Sequence, residues 1–473
     1  MGIQEIFKVL MVFILPAGGM ALILLAIFAF VYFVVYRNKS KEAKRRILRK
    51  PIVGILMLGY FFVVLGITSL SRSASFLGSF NFNIFSGLIE AWNAYSLIAF
   101  QLIVFNVIMF IPLGILLPLF SDKFKKFGWT FLAILSATLS IEIFQLATGR
   151  GIFDFEDLMT NMLGGVMGYH FYMLVAGIIE NKKTSFKELC RHLAIPIIVV
   201  SAFAGMHMAY QLQEFGNLSI NPSVGTDMSR VKLSTSIPLS SKQTTAPVYI
   251  NKCSNDIQRG KDIAKLLQKE LDLPELTGGG RDGSNVQFTY AEEEGTSYYI
   301  SYTVLDGTWG LRDNYYQEEN VSKKQNDELL QKAKTLLVKN KWLPEQAVLV
   351  ASENGDFHWR IQDPKYDNTD LTDGYLMIGL RNDGTVQHLN NGFTENDFVG
   401  QVNILSPEEA YNKIKNGEFD QMNPFEQGDV LVITRYELTY MYDTKGYYQP
   451  VYRFRGDING ESHWGQQISA RKN

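Results

Sequence analysis

Six apolar segments, at about 9–36, 51–70, 97–120, 127–148, 158–180 and 193–212, fill most of the first 212 residues of this 473-residue chain. Each is long enough to cross a hydrocarbon core of about 30 Å. Lipid offers a backbone no hydrogen-bond partners, so such segments have to satisfy their own N–H and C=O groups as helices. The first part of the chain is therefore expected to be a polytopic α-helical bundle of about six spanning helices. The segment at 9–36 reads as a spanning helix and not as a signal peptide. It is too long, it lacks a basic leading region, and basic residues follow it where a small-residue cleavage site would stand.

Charge divides the chain into two materials. Through Leu212 there are 18 Lys+Arg against 10 Asp+Glu; of the totals of 45 and 47, the remaining 27 and 37 belong to an acidic, Tyr-rich region. The basic residues of the first part cluster in loops, with eight in the stretch 37–50 (RNKSKEAKRRILRK) and more near 122–126 and 182–191. The positive-inside bias makes these loops cytoplasmic. Alternation then places the N-terminus, the loops 71–96 and 149–157, and everything after about 212 outside the cytoplasm. Neither part carries a basic patch interleaved with aromatics, so nucleic acid is not expected as a partner. The two cysteines, Cys190 and Cys253, fall on opposite sides of the membrane by this topology, so no intramolecular disulfide is expected.

Polar side chains interrupt the apolar pattern at one place. In 140–169, SIEIFQLATGRGIFDFEDLMTNMLGGVMGY, Glu142, Gln145, Arg150, Asp154, Asp157 and Asn161 stand between two spanning segments, and Asn106 lies inside the third. Ionisable groups at membrane depth are costly unless they face protein, ligand or water, which makes these seven residues the candidate ligand site. Glu142 and Gln145, three apart, share a helix face. Arg150 is able to neutralise nearby carboxylates, and Asp154, Glu156 and Asp157 sit where acidic groups cap a helix start. Asn106 either joins helices or meets a ligand. Asp157, Asn161, Gly164, Gly165 and Gly168 form one stripe, and Gly164 and Gly168 are a small-residue pair suited to close helix packing.

The order Asn106-x3-Phe110-x-Pro112-Leu113-Gly114, Glu142-x2-Gln145, Gly149-Arg150, Phe153-Asp154-x2-Asp157-x3-Asn161-x2-Gly164-Gly165-x2-Gly168-Tyr169 resembles the VanZ-like membrane family, named for teicoplanin resistance. The resemblance covers about 51–180. It implies an envelope protein of a Gram-positive-type bacterium, linked to tolerance of a lipid-anchored glycopeptide, and supplies no enzymatic mechanism. The chain then divides into an extra N-terminal helix and basic loop (1–50), a VanZ-like domain (51–180), a last spanning helix (181–212) and an extracytoplasmic α+β region (213–473).

That last region reads as a polar stretch at 217–245, a helix after Ser254, strands at 286–290 and 297–305, and a helix at 322–340 opened by a Ser322/Gln325 capping box. A second helix opens with Ser406-Pro407-Glu408-Glu409-Ala410. Strands at 429–442 and 447–458 follow, joined by a turn, and then a final QQISA strand. Two modules, about 246–400 and 401–473, are expected, the latter similar to PepSY or YycI-type envelope modules. Gly278-Gly279-Gly280 reads as a flexible turn. The Tyr-rich strands offer either sheet packing or a surface for stacking a glycan or peptide. No metal-ligand spacing, catalytic signature or cofactor motif is present, so no metal, cofactor or catalytic residue is assigned.

Three functions fit these residues. One is an outer-leaflet cleft that binds or shields a lipid-linked wall precursor, a lipid headgroup or a lipoglycopeptide. Another is a membrane enzyme in which paired carboxylates such as Glu142 and Asp157 work on a lipid-linked substrate. The third is a membrane-anchored sensor or assembly partner whose external region docks another envelope protein.

Overall fold

A computed structural model describes residues 41–70, 80–181, 185–220, 225–282, 284–291, 297–315, 321–421 and 424–472, with isolated positions elsewhere. The chain divides into a helical unit up to Gln213 and a second unit over Glu214–Asn473. Nearly all of the first apolar segment, 9–36, and parts of the loops 37–50, 71–96 and 182–191 lie outside the described residues.

In the helical unit, α1 (Lys41–Leu65) runs into a π-helical turn, Gly66–Leu70, and is followed by the short α2 (Ser86–Asn93), α3 (Leu97–Phe120), α4 (Phe127–Thr148), α5 (Phe155–Asn181) and α6 (Phe186–Leu212). Among the described residues five helices are long and apolar enough to span a bilayer. Pro112 and Pro118 leave α3 continuous. Two starts are earlier than expected. Helix α5 begins at Phe155, and α6 begins at Phe186 because Ser185 and Glu188 form a reciprocal capping box ahead of the apolar run. Ile197, Ile198 and Val200 of α6 are more than half exposed, as suits a surface that meets hydrocarbon.

Glycine decides how the helices meet. A methyl group at Gly164 would overlap the Val107 carbonyl, one at Gly168 the Ile111 carbonyl, and one at Gly114 the Gly165 carbonyl. The pairs 107/164 and 111/168 advance together, so α3 and α5 are parallel and in backbone contact. Gly165 faces Ile134 of α4 instead. Val64, Phe110, Leu113, Leu117, Ile134 and Ile141 fill the interior.

The second unit holds two sheets. One has eight strands in the order β5 (Leu276–Asp282), β6 (Asn285–Tyr290), β7 (Tyr298–Thr303), β8 (Trp309–Asp313), β13 (Val386–Asn391), β12 (Tyr375–Leu380), β10 (Asp356–Arg360) and β9 (Val348–Glu353). Its core, including Ile300, Leu311, Phe357 and Leu376, packs with Ile263 and Leu267 of α7 (Ile257–Glu270) and with Leu329 and Leu337 of α8 (Lys323–Lys339). The other sheet orders β11 (Leu371–Asp373), β14 (Thr394–Ile404), β4 (Thr244–Asn251), β16 (Tyr447–Ile458), β15 (Val430–Tyr442) and β3 (Lys232–Thr235), with β17 (Ser462–Ser469) also on β16. Ala410 and Ile414 of α9 (Pro407–Lys415) pack with Leu431, Phe454 and Ile468.

The layers are interleaved in sequence and do not divide near residue 400: β4 leaves from the start of the unit to pair with β14 and β16, and β14 itself crosses that position. Three local readings change for physical reasons. Asp256, not Ser254, caps α7, because Asn255 takes a left-handed φ of 64° and breaks the helix ahead of it. Ser322 caps α8, but Gln325 turns its amide to the Asn382 carbonyl. The triple glycine is strand β5, with Gly279 so close to Gln287 that a side chain would strike its carbonyl. The Ser406/Glu409 capping box with Pro407 at the helix start forms as expected. Ser406→Ala should lower stability by about 1 kcal/mol, read as a small fall in unfolding midpoint of the full chain.

Candidate functional site

Helix α4 ends where Gly149 adopts φ 64°, and the chain returns through β2 (Phe153–Asp154) into α5. This corner gathers the polar residues of the helical unit. The carboxylate of Glu142, 1% exposed, accepts the Asp154 backbone N–H at 3.0 Å. Gln145, its neighbour on the same face, donates to the Thr68 carbonyl at 2.8 Å, and Arg150 Nη1 reaches the Ser69 carbonyl at 3.4 Å. Asn106 Nδ2 donates to Asp157 Oδ1 at 2.6 Å, tying α3 to α5 beside the glycine contacts. Asn161, 3% exposed, donates to Thr138 of α4 at 3.0 Å, while its amide oxygen is buried without a partner.

Thus all seven residues singled out from the sequence engage one region built from the π-helical turn after α1, α3, α4, β2 and α5. Asn106 joins helices. Several of the others also hold backbone groups in place, so the cluster has an internal structural role.

A further layer was not foreseen. Strand β1 (Phe80–Asn81) pairs in parallel with β2, Phe80 opposite Phe153 and Asn81 opposite Asp154. Asn81 Nδ2 donates both to Asp154 Oδ2 at 3.1 Å and to Ser86 Oγ at 2.7 Å. Glu156 does not cap its own helix; its carboxylate accepts the N–H groups of Gly87 (2.6 Å) and Leu88 (3.1 Å) at the start of α2. The alternation Phe80-Asn81-Phe82-Asn83 is the one signal in the sequence for this strand. Phe80 and Phe82, both more than half exposed, stack with centroids 5.8 Å apart, and Phe153 lies 5.9 Å from Phe80. Among the described residues no group of three His, Cys, Asp or Glu side chains is placed to hold a metal.

Fold and corner together define a multi-pass membrane protein with an α+β domain and a polar, hydrogen-bonded corner on its helical bundle. Residues 20–176 match the VanZ/LLP1 family model, so the membrane part of the chain is similar to that family. The match begins at residue 20 and so takes in part of the first apolar segment, which the sequence resemblance had left outside. Over 94 residues the chain is 36% identical to Protein VanZ of Enterococcus faecium; this is 20% of the chain, which spans about half, 53%, of that relative's length. Two solved structures show loose similarity. The YpeB C-terminal domain of Bacillus megaterium is 14% identical, with a TM-score of 0.20, over 45% of this chain and 93% of that one. An uncharacterized protein from Eubacterium rectale is 11% identical, with a TM-score of 0.23, over 51% and 87%.

Proposed function

We propose that the corner built on Glu142, Arg150, Asp154 and Asp157 lies at the outer leaflet and binds the headgroup of a lipid-linked wall precursor or a membrane lipid, shielding it from a lipid-associating glycopeptide such as teicoplanin. The observation that carries this reading is convergence: acidic, amide and guanidinium groups from α3, α4, α5 and the connection between α4 and α5 meet at one end of the bundle. The positive-inside distribution of Lys and Arg supports an external position for that end, and for the N-terminus and the α+β domain. Arginine pairs well with phosphate, and carboxylates with amine or hydroxyl donors. The exposed Phe80 and Phe82 rings, stacked beside the half-buried Phe153, give the corner an apolar rim suited to contact with a lipid.

The test separates charge from scaffold. Glutamine at 142 retains an oxygen for the Asp154 N–H, and asparagine at 157 retains one for Asn106, so both variants preserve the local hydrogen bonds while deleting the charge. Glu142→Gln and Asp157→Asn are expected to abolish glycopeptide tolerance at unchanged membrane abundance; full tolerance at equal abundance would refute the proposal. Lipids extracted from the purified protein and from Arg150→Ala should differ by a precursor or headgroup lipid that mass spectrometry finds in the first and not in the second. Chemically altered lipid in cells carrying the active protein would instead point to catalysis.

A further inference from the structure

The two sheets of the second unit meet along a cleft of about 580 Å³, within the roughly 300–1,000 Å³ usual for small-molecule sites. Its floor is built by strand register. Ser301 of β7 lies opposite Gly310 of β8, and Gly310 lies opposite Asn390 of β13. Their chain neighbours Ile300, Leu311 and Leu389 belong to the hydrophobic core, so period-2 alternation puts the three floor residues on the other face of the sheet. A methyl group at Gly310 would collide with Asn390 Oδ1; glycine keeps the floor open between hydroxyl and amide.

Tyrosines form the walls: Tyr375 of β12, Tyr440 and Tyr442 of β15, and Tyr448 of β16. The rings of Tyr442 and Tyr448 lie 4.5 Å apart. Tyr375 is 53% exposed, so much of an aromatic ring is presented to solvent instead of being spent on packing. The Tyr440 hydroxyl is buried without a hydrogen-bond partner. Burial pushes the Tyr442 hydroxyl up to about 12, so at neutral pH it is an uncharged donor and acceptor.

The lining contains Asp306 and Asp373 but no Lys, Arg or His. A cleft lined by two carboxylates and by no cationic side chain disfavours anions such as phosphates. The floor is the face of a sheet whose backbone groups are already paired in the ladder, so an added peptide strand finds no open edge there. What remains is a set of short hydroxyl and amide side chains below exposed aromatic rings. We propose that this cleft is a binding site for a short neutral oligosaccharide, its ring face against Tyr375 and its hydroxyls on Ser301 and Asn390.

Titration calorimetry of the full-length protein in detergent, against N,N′,N″-triacetylchitotriose, cellotriose and maltotriose, tests this. At least one trisaccharide is expected to bind, with affinity falling about tenfold in Tyr375→Ala and in Asn390→Ala at unchanged unfolding temperature. No heat of binding from any of the three overturns the proposal. So does binding that survives both substitutions, and so does binding of trilysine in their place, which would assign the cleft to cationic peptides.

Discussion

Replacing Gly164 with leucine is expected to strip the protein from the membrane fraction. The Cα of Gly164 rests against the Val107 carbonyl so closely that even a methyl group would overlap it. The obstacle is backbone, which cannot swing aside as a side chain does; α3 and α5 would have to separate, and the Asn106–Asp157 hydrogen bond beside the contact would stretch with them. Overpacking of a formed core costs about 1–3 kcal/mol, and a leucine forced against a helix backbone lies at or beyond the upper end. Helix association in lipid depends on such close approach, since apolar burial gives it little help. The control is in the same helix: Gly177 has nothing within 4 Å of where a side chain would grow. Gly177→Leu should therefore accumulate normally. Equal abundance and equal unfolding midpoints for the two variants would show that α3 and α5 do not need their close contact.

The second large effect is expected in the α+β unit, where Asp313 and Arg381 form an ion pair with the aspartate side chain fully buried and the arginine 16% exposed. Asp313 also accepts the backbone N–H groups of Ser297 at 2.9 Å and Tyr315 at 3.1 Å, while Arg381 donates to the Tyr298 hydroxyl at 3.1 Å. Asp313→Ala would leave a mostly buried cation and two N–H donors uncompensated, a loss of about 3–5 kcal/mol. That corresponds to roughly 10 °C in the unfolding midpoint of a unit this size. The pair itself contributes far less than its rupture costs. The double variant Asp313→Leu/Arg381→Met, which removes both charges and fills the space, should accordingly lose less than the sum of Asp313→Ala and Arg381→Ala. Thermal unfolding followed by circular dichroism reads all of these, and additive losses would contradict a coupled buried pair.

What could be read from the sequence follows the range of the forces involved. Five of the spanning helices were legible because length and apolarity alone specify them, and the Ser406/Glu409 cap because its groups lie three residues apart. Ser254 misled because a single backbone dihedral at Asn255 moved the helix start, and the triple glycine because its partner strand β6 decides its conformation. At the polar corner, Glu142, Gln145, Asp157 and Asn161 stood out as charge or amide within apolar sequence. The segment that packs against this corner did not. Asn81 meets Asp154 across 73 positions and Glu156 meets Gly87 across 69, and nothing local in either stretch announces the other. The pairing of β4 with β14 and β16 was hidden for the same reason.

That strand order has a consequence for biosynthesis. Strand β3, near the start of the unit, pairs in parallel with β15, and β4 waits for β14 and β16, all of which are made after the eight-stranded sheet. Each of these closures bridges a long loop, whose entropy has to be met before any contact rewards it. The nascent region therefore carries unsatisfied strand edges until its last strands emerge, and a premature stop before β14 would leave β3 and β4 as sticky ends for chaperones or neighbouring chains to find.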